Sequence, residues 1–174
     1  MRFSTAFINK FEANHLGYMV ALYPSKESIN NLVKYQKLLN LKDPIKPDIL
    51  HVTLRYYKGY NDQIKVKNIL NDLKLPKALK CDIIGLDILG DENTLVILLK
   101  SKELSEFQNV LDNALVNLGV PESDYPVFKA HVSLASDHQS DLHENSNTPK
   151  FNDNLILDKI KFVYDDKILW EKDL

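Results

Sequence analysis

Two tetrapeptides decide how this chain is read: His51-Val52-Thr53-Leu54 and His131-Val132-Ser133-Leu134. On a strand, residues i and i+2 point to one face, about 6.5–7 Å apart. Each segment therefore sets an imidazole and a hydroxyl on one surface and sends a valine and a leucine to the other. The apolar side fixes the strand in a core, and the polar side is left to face a cleft. A bare His-x-Ser/Thr triplet arises easily by accident. A third one, His138-Gln139-Ser140, sits in a polar stretch without apolar alternation and is set aside. The longer pattern occurs twice, each time at the end of a similar unit, and that repetition is the informative signal.

The units echo one another. Val20-Ala21-Leu22-Tyr23-Pro24-Ser25-Lys26-Glu27 resembles Val96-Ile97-Leu98-Leu99-Lys100-Ser101-Lys102-Glu103. In both, a buried strand runs into a Ser-Lys-Glu helix start, and a proline-bearing loop then leads to the motif. Ser25 precedes His51 by 26 residues and Ser101 precedes His131 by 30. We expect a single bilobal domain over residues 1–174, with pseudo-repeats at about 17–57 and 94–135.

Periodicity places the remaining elements. Gly17 to Tyr23 reads as a strand, and Ser25 caps a helix striped by Ile29, Leu32 and Val33. Lys42 to Pro47 is a loop, since two prolines so close do not fit a regular element. Ile49 to Tyr57 is a strand, and Val66, Ile69, Leu70 and Leu73 form one face of a helix ending near Pro76. Leu79–Leu89 and Thr94–Lys100 are strands joined by a turn. Ser101 caps a helix that Gly119 ends. Tyr125 to Ala135 is strand-like, Ser136 to Asn154 reads as a long polar loop, and Leu155 to Trp170 forms a hairpin. The class is α+β, with antiparallel sheets flanking a central cleft and helices outside.

Composition narrows the function. The chain has 174 residues, 44 % of them hydrophobic, with a net charge of −2. That balance argues against a broad grip on duplex DNA but leaves room for a small basic pocket. Cys81 is the single cysteine, so no intramolecular disulfide and no cysteine-based zinc site is expected. Apolar runs such as Leu95 to Leu99 are far too short to span a membrane. Asn9, Lys10 and Glu12 interrupt the N-terminal apolar patch and make it a poor signal peptide. A cytoplasmic location follows as the expectation.

Two imidazoles and two hydroxyls suit phosphoester cleavage without a metal or other cofactor. One neutral histidine takes a proton from the nucleophile, and the other, protonated, gives one to the leaving oxygen. Thr53 and Ser133 would donate to the non-bridging phosphate oxygens, where charge develops. A metal site would want more ligands, and the nearby Asp48 and Asp137 do not extend the His/hydroxyl face.

Paired His-x-(Thr/Ser) motifs on two related lobes resemble the two-histidine phosphoesterase superfamily. The resemblance runs from about Tyr18 to Trp170 and sets His51, Thr53, His131 and Ser133 on the four motif positions. Serine at the last keeps the hydroxyl and loses a methyl. The resemblance implies a bilobal fold with pseudo-twofold symmetry and cleavage of cyclic phosphates or of 2′–5′ or 3′–5′ linkages, generally without metal. Size, compact motifs and a closing hairpin with a late tryptophan are most similar to the phage anti-CBASS branch, which degrades cyclic di- and trinucleotides in the host cytoplasm. That branch implies Tyr18 and Trp170 as nucleobase contacts and Asp165 or Asp166 as a nearby acidic position. The alternatives are an RNA-processing or 2′–5′ phosphoesterase acting on short RNA, and a non-catalytic nucleotide sponge.

Further residues join the candidate site. Arg55 continues the His51–Thr53 face by another two-residue step, where it either pairs with a phosphate or marks the strand end. Lys129 stands in the same relation to His131. Tyr56, Tyr57 and Tyr60 follow the first motif; one of them, taken as Tyr57, is a base contact, and the other two read as core or rim packing. Trp170 serves either as a lid over a base or as an anchor for the last strand. His15, His138 and His143 are read as structural or exposed, and Cys81 as buried packing.

Overall fold

The computed structural model describes residues 17–91, 93–123, 127–136, 154–165 and 167–174. Expectations for His15, Tyr125, Asp137, His138-Gln139-Ser140, His143, Asp166, the N-terminal patch and the polar stretch 137–153 lie outside the described residues. The elements are β1 (Tyr18–Pro24), α1 (Lys26–Leu38), a 3-10 turn (Pro47–Ile49), β2 (Val52–Tyr57), α2 (Gln63–Asp72), β3 (Leu79–Leu89), β4 (Thr94–Lys100), α3 (Lys102–Leu118), β5 (His131–Ala135), β6 (Asn154–Tyr164) and β7 (Lys167–Asp173).

Each helix starts where a polar cap satisfies its first amides. Ser25 and Ser101 accept from the N–H groups of Ser28 and Leu104 at 3.3 and 3.4 Å, and Asp62 accepts from Lys65 N–H at 3.1 Å. A cap of this kind stabilises a helix by ~1 kcal/mol. Gly119 ends α3 with φ 99°, a left-handed turn that glycine adopts without strain.

The seven strands form one antiparallel sheet in the order β2-β1-β6-β3-β4-β5, with β7 on β6. β6 is the seam. Its first residues, Asn154 to Leu157, pair with β3, and from Leu157 onward it pairs with β1 and, beyond Asp158, with β7. The two lobes thus share a single sheet through β6. That sheet curls until its edge strands, β2 and β5, come within 8 Å between Cα atoms. Helices cover one face, where Leu22, Val52, Ile97, Val132 and Phe162 are fully buried, each contributing about 1.5–3 kcal/mol.

Both motif strands are shorter than the sequence suggests. Pro47 favours a helical first turn, so Ile49 lies in the 3-10 turn and pairing begins at Val52. β5 begins at His131, and β7 runs past Trp170 to Asp173. Among the described residues no helix is long and apolar enough to cross a membrane.

Candidate active site

The strand registers place the motif side chains. Thr53 pairs with Ala21, and Ala21 with Lys161 of β6. Ser133 pairs with Val96, which pairs with Asp87, and His131 pairs with Leu98, which pairs with Gly85. Followed across β6, β3 and their bulges, this alternation keeps His51, Thr53, His131 and Ser133 on one face of the sheet, opposite the helices. Val52, Leu54, Val132 and Leu134 are buried. The strands that carry the two motifs, β2 and β5, come within 8 Å between Cα atoms.

The histidines are held alike. His51 Nδ1 lies 2.7 Å from the carbonyl of Ile49, and His131 Nδ1 lies 2.6 Å from that of Lys129, two residues upstream in each case. A carbonyl oxygen only accepts, so Nδ1 carries the hydrogen in both rings. In the neutral ring Nε2 is therefore the nitrogen without a hydrogen. The Tyr23 ring lies 5.7 Å from that of His51, and burial pushes its hydroxyl above the ordinary tyrosine range, keeping it a donor. Thr53 Oγ1 donates to Met19 Sδ at 3.5 Å, a soft contact that a better acceptor displaces readily.

The echo between the units is offset by one residue. Aligned on their serines, Leu22 matches Leu98. By strand pairing, Leu22 opposes Val52 while Ile97 opposes Val132, so Leu22 corresponds to Ile97 and Tyr23 to Leu98. A register shift between Tyr23 and Pro24 accommodates the difference.

Several sequence expectations are corrected here. Arg55 does not continue the His51–Thr53 face. The register jumps from Arg55 opposite Val20 to Thr53 opposite Ala21, so Leu54 is an extra, bulged residue that reverses the alternation. Arg55 is 3 % exposed, ion-pairs with Asp112 of α3 at 2.8 Å and donates to the Pro121 carbonyl. Tyr18 and Tyr57 lie on the same core side, with rings stacked at 5.4 Å, and Gln63 Nε2 donates to the Tyr18 hydroxyl at 3.1 Å. Burial and the neighbouring Tyr18 and Tyr60 push the Tyr57 hydroxyl well up. Trp170 pairs with Phe162, whose side chain is in the core, and its Nε1–H donates to Asn71 of α2 at 3.0 Å. It anchors the last strand on the helix side. Asp165 sits in the β6–β7 turn with φ 54°.

Lys129 reaches the site face but is ion-paired with Asp87 at 2.6 Å. The hydrogen bond from Lys129 and the Ile88 N–H hold the Asp87 carboxyl below its usual range. A hollow of about 430 Å³ beside the β4–α3 turn touches Lys129 and Leu98, but none of the four motif residues lines it. Among the described residues no group of three or more His, Cys, Asp or Glu is placed to hold a metal ion.

Sequence reasoning missed Lys161. It faces the same side as Thr53 through Ala21, with Nζ 4.3 Å from the centre of the Tyr23 ring and a 3.8 Å ion pair to Glu171. The alternation of Lys159 and Lys161 with Ile160 and Phe162 was the available signal. Tyr56 faces the same side opposite Met19, and its ring packs so closely on Gly17 that a Cβ there would sit 2.5 Å from the Tyr56 hydroxyl oxygen.

Comparison with known proteins agrees with this fold. E. coli LigT matches with a TM-score of 0.69 at 14 % identity, covering 91 % of this chain and 97 % of that one. Thermus thermophilus TT0787 matches with 0.65 at 16 % identity over 91 % and 97 %. Kluyveromyces marxianus Usb1 matches with 0.62 at 14 % over 92 % and 99 %. LigT structures similar to this chain include complexes with 3′-AMP, NADP+ and ATP. No curated protein matches. The sequence model of the family described as anti-CBASS protein Acb1 matches residues 17–163. That match covers most of the chain, from β1 through nearly all of β6, and with the shared fold makes this chain a member of the anti-CBASS Acb1 family, a phosphodiesterase on the two-histidine phosphoesterase fold.

Proposed function

We propose that the chain cleaves cyclic di- and trinucleotide messengers in the host cytoplasm by metal-independent acid–base catalysis between His51 and His131. The observation that carries this reading is the matched Nδ1–carbonyl bond on both rings, which gives each an Nε2 able to exchange a proton. Family membership supports the substrate class, and the nucleotides held by the structurally similar LigT support a nucleotide ligand.

One Nε2 accepts the proton of the attacking hydroxyl, from a ribose 2′ position or from water, as its oxygen bonds phosphorus. The other Nε2–H donates to the ester oxygen as the P–O bond to it breaks. Thr53 and Ser133 donate to the non-bridging oxygens, where added charge makes hydrogen bonds count most. Lys161 adds a positive charge on the same face for a phosphate of the ring.

The test is chromatography of a panel of cyclic dinucleotides, cyclic trinucleotides, 2′,3′-cyclic phosphates and linear RNA. Wild-type enzyme converts the cyclic oligonucleotides, with EDTA present or absent, and shows a two-sided pH profile. His51→Ala and His131→Ala each lower kcat by about 10²–10⁴-fold. Conversion of linear RNA alone moves the assignment to RNA processing. Depletion of ligand without product makes the chain a sponge, and activity lost in EDTA and restored by zinc overturns the metal-free reaction. A 2′-deoxy substrate that resists cleavage identifies the ribose hydroxyl as nucleophile.

A further inference from the structure

We infer that Gln36 and Gln108 are reciprocal positioning residues for this reaction, each reaching from the main helix of one lobe to the motif strand of the other. The inference rests on the acid–base reading above.

Both motif strands carry a bulge at the same place. The β1–β2 register passes from Thr53 to Arg55 and skips Leu54. The β4–β5 register passes from Ser133 to Ala135 and skips Leu134. Each extra residue directly follows the motif hydroxyl, and a bulged residue loses its ladder partner. A buried backbone carbonyl then needs another donor.

Glutamines supply those donors across the lobes. Gln36 of α1, 6 % exposed, donates from Nε2 to the Leu134 carbonyl at 2.9 Å and to the Ile45 carbonyl at 2.8 Å. Gln108 of α3, 9 % exposed, donates from Nε2 to the Leu54 carbonyl at 3.4 Å. Each brace is reinforced. Ile45 N–H also donates to the Leu134 carbonyl at 2.8 Å, and Pro44 bridges Ala135. Asp112, one turn beyond Gln108 on α3, holds Arg55.

No direct strand pairing joins β2 to β5; the sheet path between them runs through four other strands. The cross-lobe glutamines, together with the Ile45–Leu134 and Arg55–Asp112 contacts, are a much shorter connection. They fix the bulges and, with them, the directions of Thr53 and Ser133 and the phase of each histidine row. Loss of a brace lets one row shift against the other. Acid–base transfer is sensitive to such shifts, since a misplacement of ~1 Å can cost about 100-fold in rate. Uniform substrate binding, which needs no such alignment of the reacting atoms, is less sensitive.

Steady-state kinetics on the cyclic oligonucleotide, normalised to folded enzyme by circular dichroism, test the assignment with Gln36→Leu and Gln108→Leu. We expect kcat to fall about tenfold or more and KM to stay within about twofold. Gln36→Glu gives a second readout. Its carboxylate repels the Leu134 and Ile45 carbonyls, whereas its protonated form donates one hydrogen bond, so its kcat relative to wild type rises as pH falls. This variant decides the matter should a leucine variant not fold. The assignment is overturned by leucine variants that melt lower but turn over within about twofold of wild type, or by a Gln36→Glu ratio flat in pH. His51→Ala and His131→Ala, run in parallel, separate the two ideas. Wild-type turnover in those variants removes the acid–base reading, while their inactivity beside active glutamine variants removes only the braces.

Discussion

Arg55 shows how much one residue's role depends on a local backbone event. Counted in twos from His51 it belongs beside the phosphate. The bulge at Leu54 turns it to the core, where Asp112 takes the guanidinium. Arg55→Ala is therefore expected to lower stability by ~2–3 kcal/mol, less than for a fully buried pair because Asp112 keeps some access to water. A denaturant melt measures this, and KM of the folded enzyme should stay near wild type. A large rise in KM would return Arg55 to the substrate. Asp87 makes the opposite case. It lies on the site face and neutralises Lys129. Asp87→Asn leaves that ammonium without its counter-charge, so KM for an anionic substrate should fall, most visibly at low ionic strength. The same carboxyl sits below its usual range. Its small contribution to stability is present above the unfolded carboxylate range and is lost as pH falls through the depressed value. Acid melts of wild type and Asp87→Asn should therefore converge.

At the scale of elements, the sequence marked the helices well because their signals are local. Ser25, Ser101 and Gly119 act at the positions their chemistry suggests. The motif strands were legible as strands but not in their lengths or faces. Alternation assumes an unbroken ladder, and bulges at Leu54 and Leu134 break it. The late tryptophan was legible as important and ambiguous in kind. Its register with Phe162 and its bond to Asn71 tie β7 to α2. Trp170→Phe and Asn71→Ala each remove that bond, and we expect each to cost about 0.5–1.5 kcal/mol of stability. The double variant should cost little more than either alone, as a thermal-melt cycle will measure. Additive losses would show that the two side chains act separately.

At the scale of the molecule, β6 joins both lobes, and its register with β3 buries Cys81 opposite Leu155. Burial pushes the thiol up to about 11, so it is neutral and enclosed at neutral pH. Alkylation of Cys81 should follow global unfolding, with a free energy matching that from denaturant melts. Rapid labelling of the native protein would mean that the seam opens by itself. The sequence alone determined the class of fold, the helix caps at Ser25, Ser101 and Gly119, and the family, because caps, periodicity and short motifs are properties of neighbouring residues. Tertiary structure decided which side chains share a face with the motif residues: Lys161 and Tyr23 do, and Arg55, Tyr18, Tyr57 and Trp170 turn to the core side. Facing depends on bulges and registers set between strands far apart in the chain, and no local pattern encodes them.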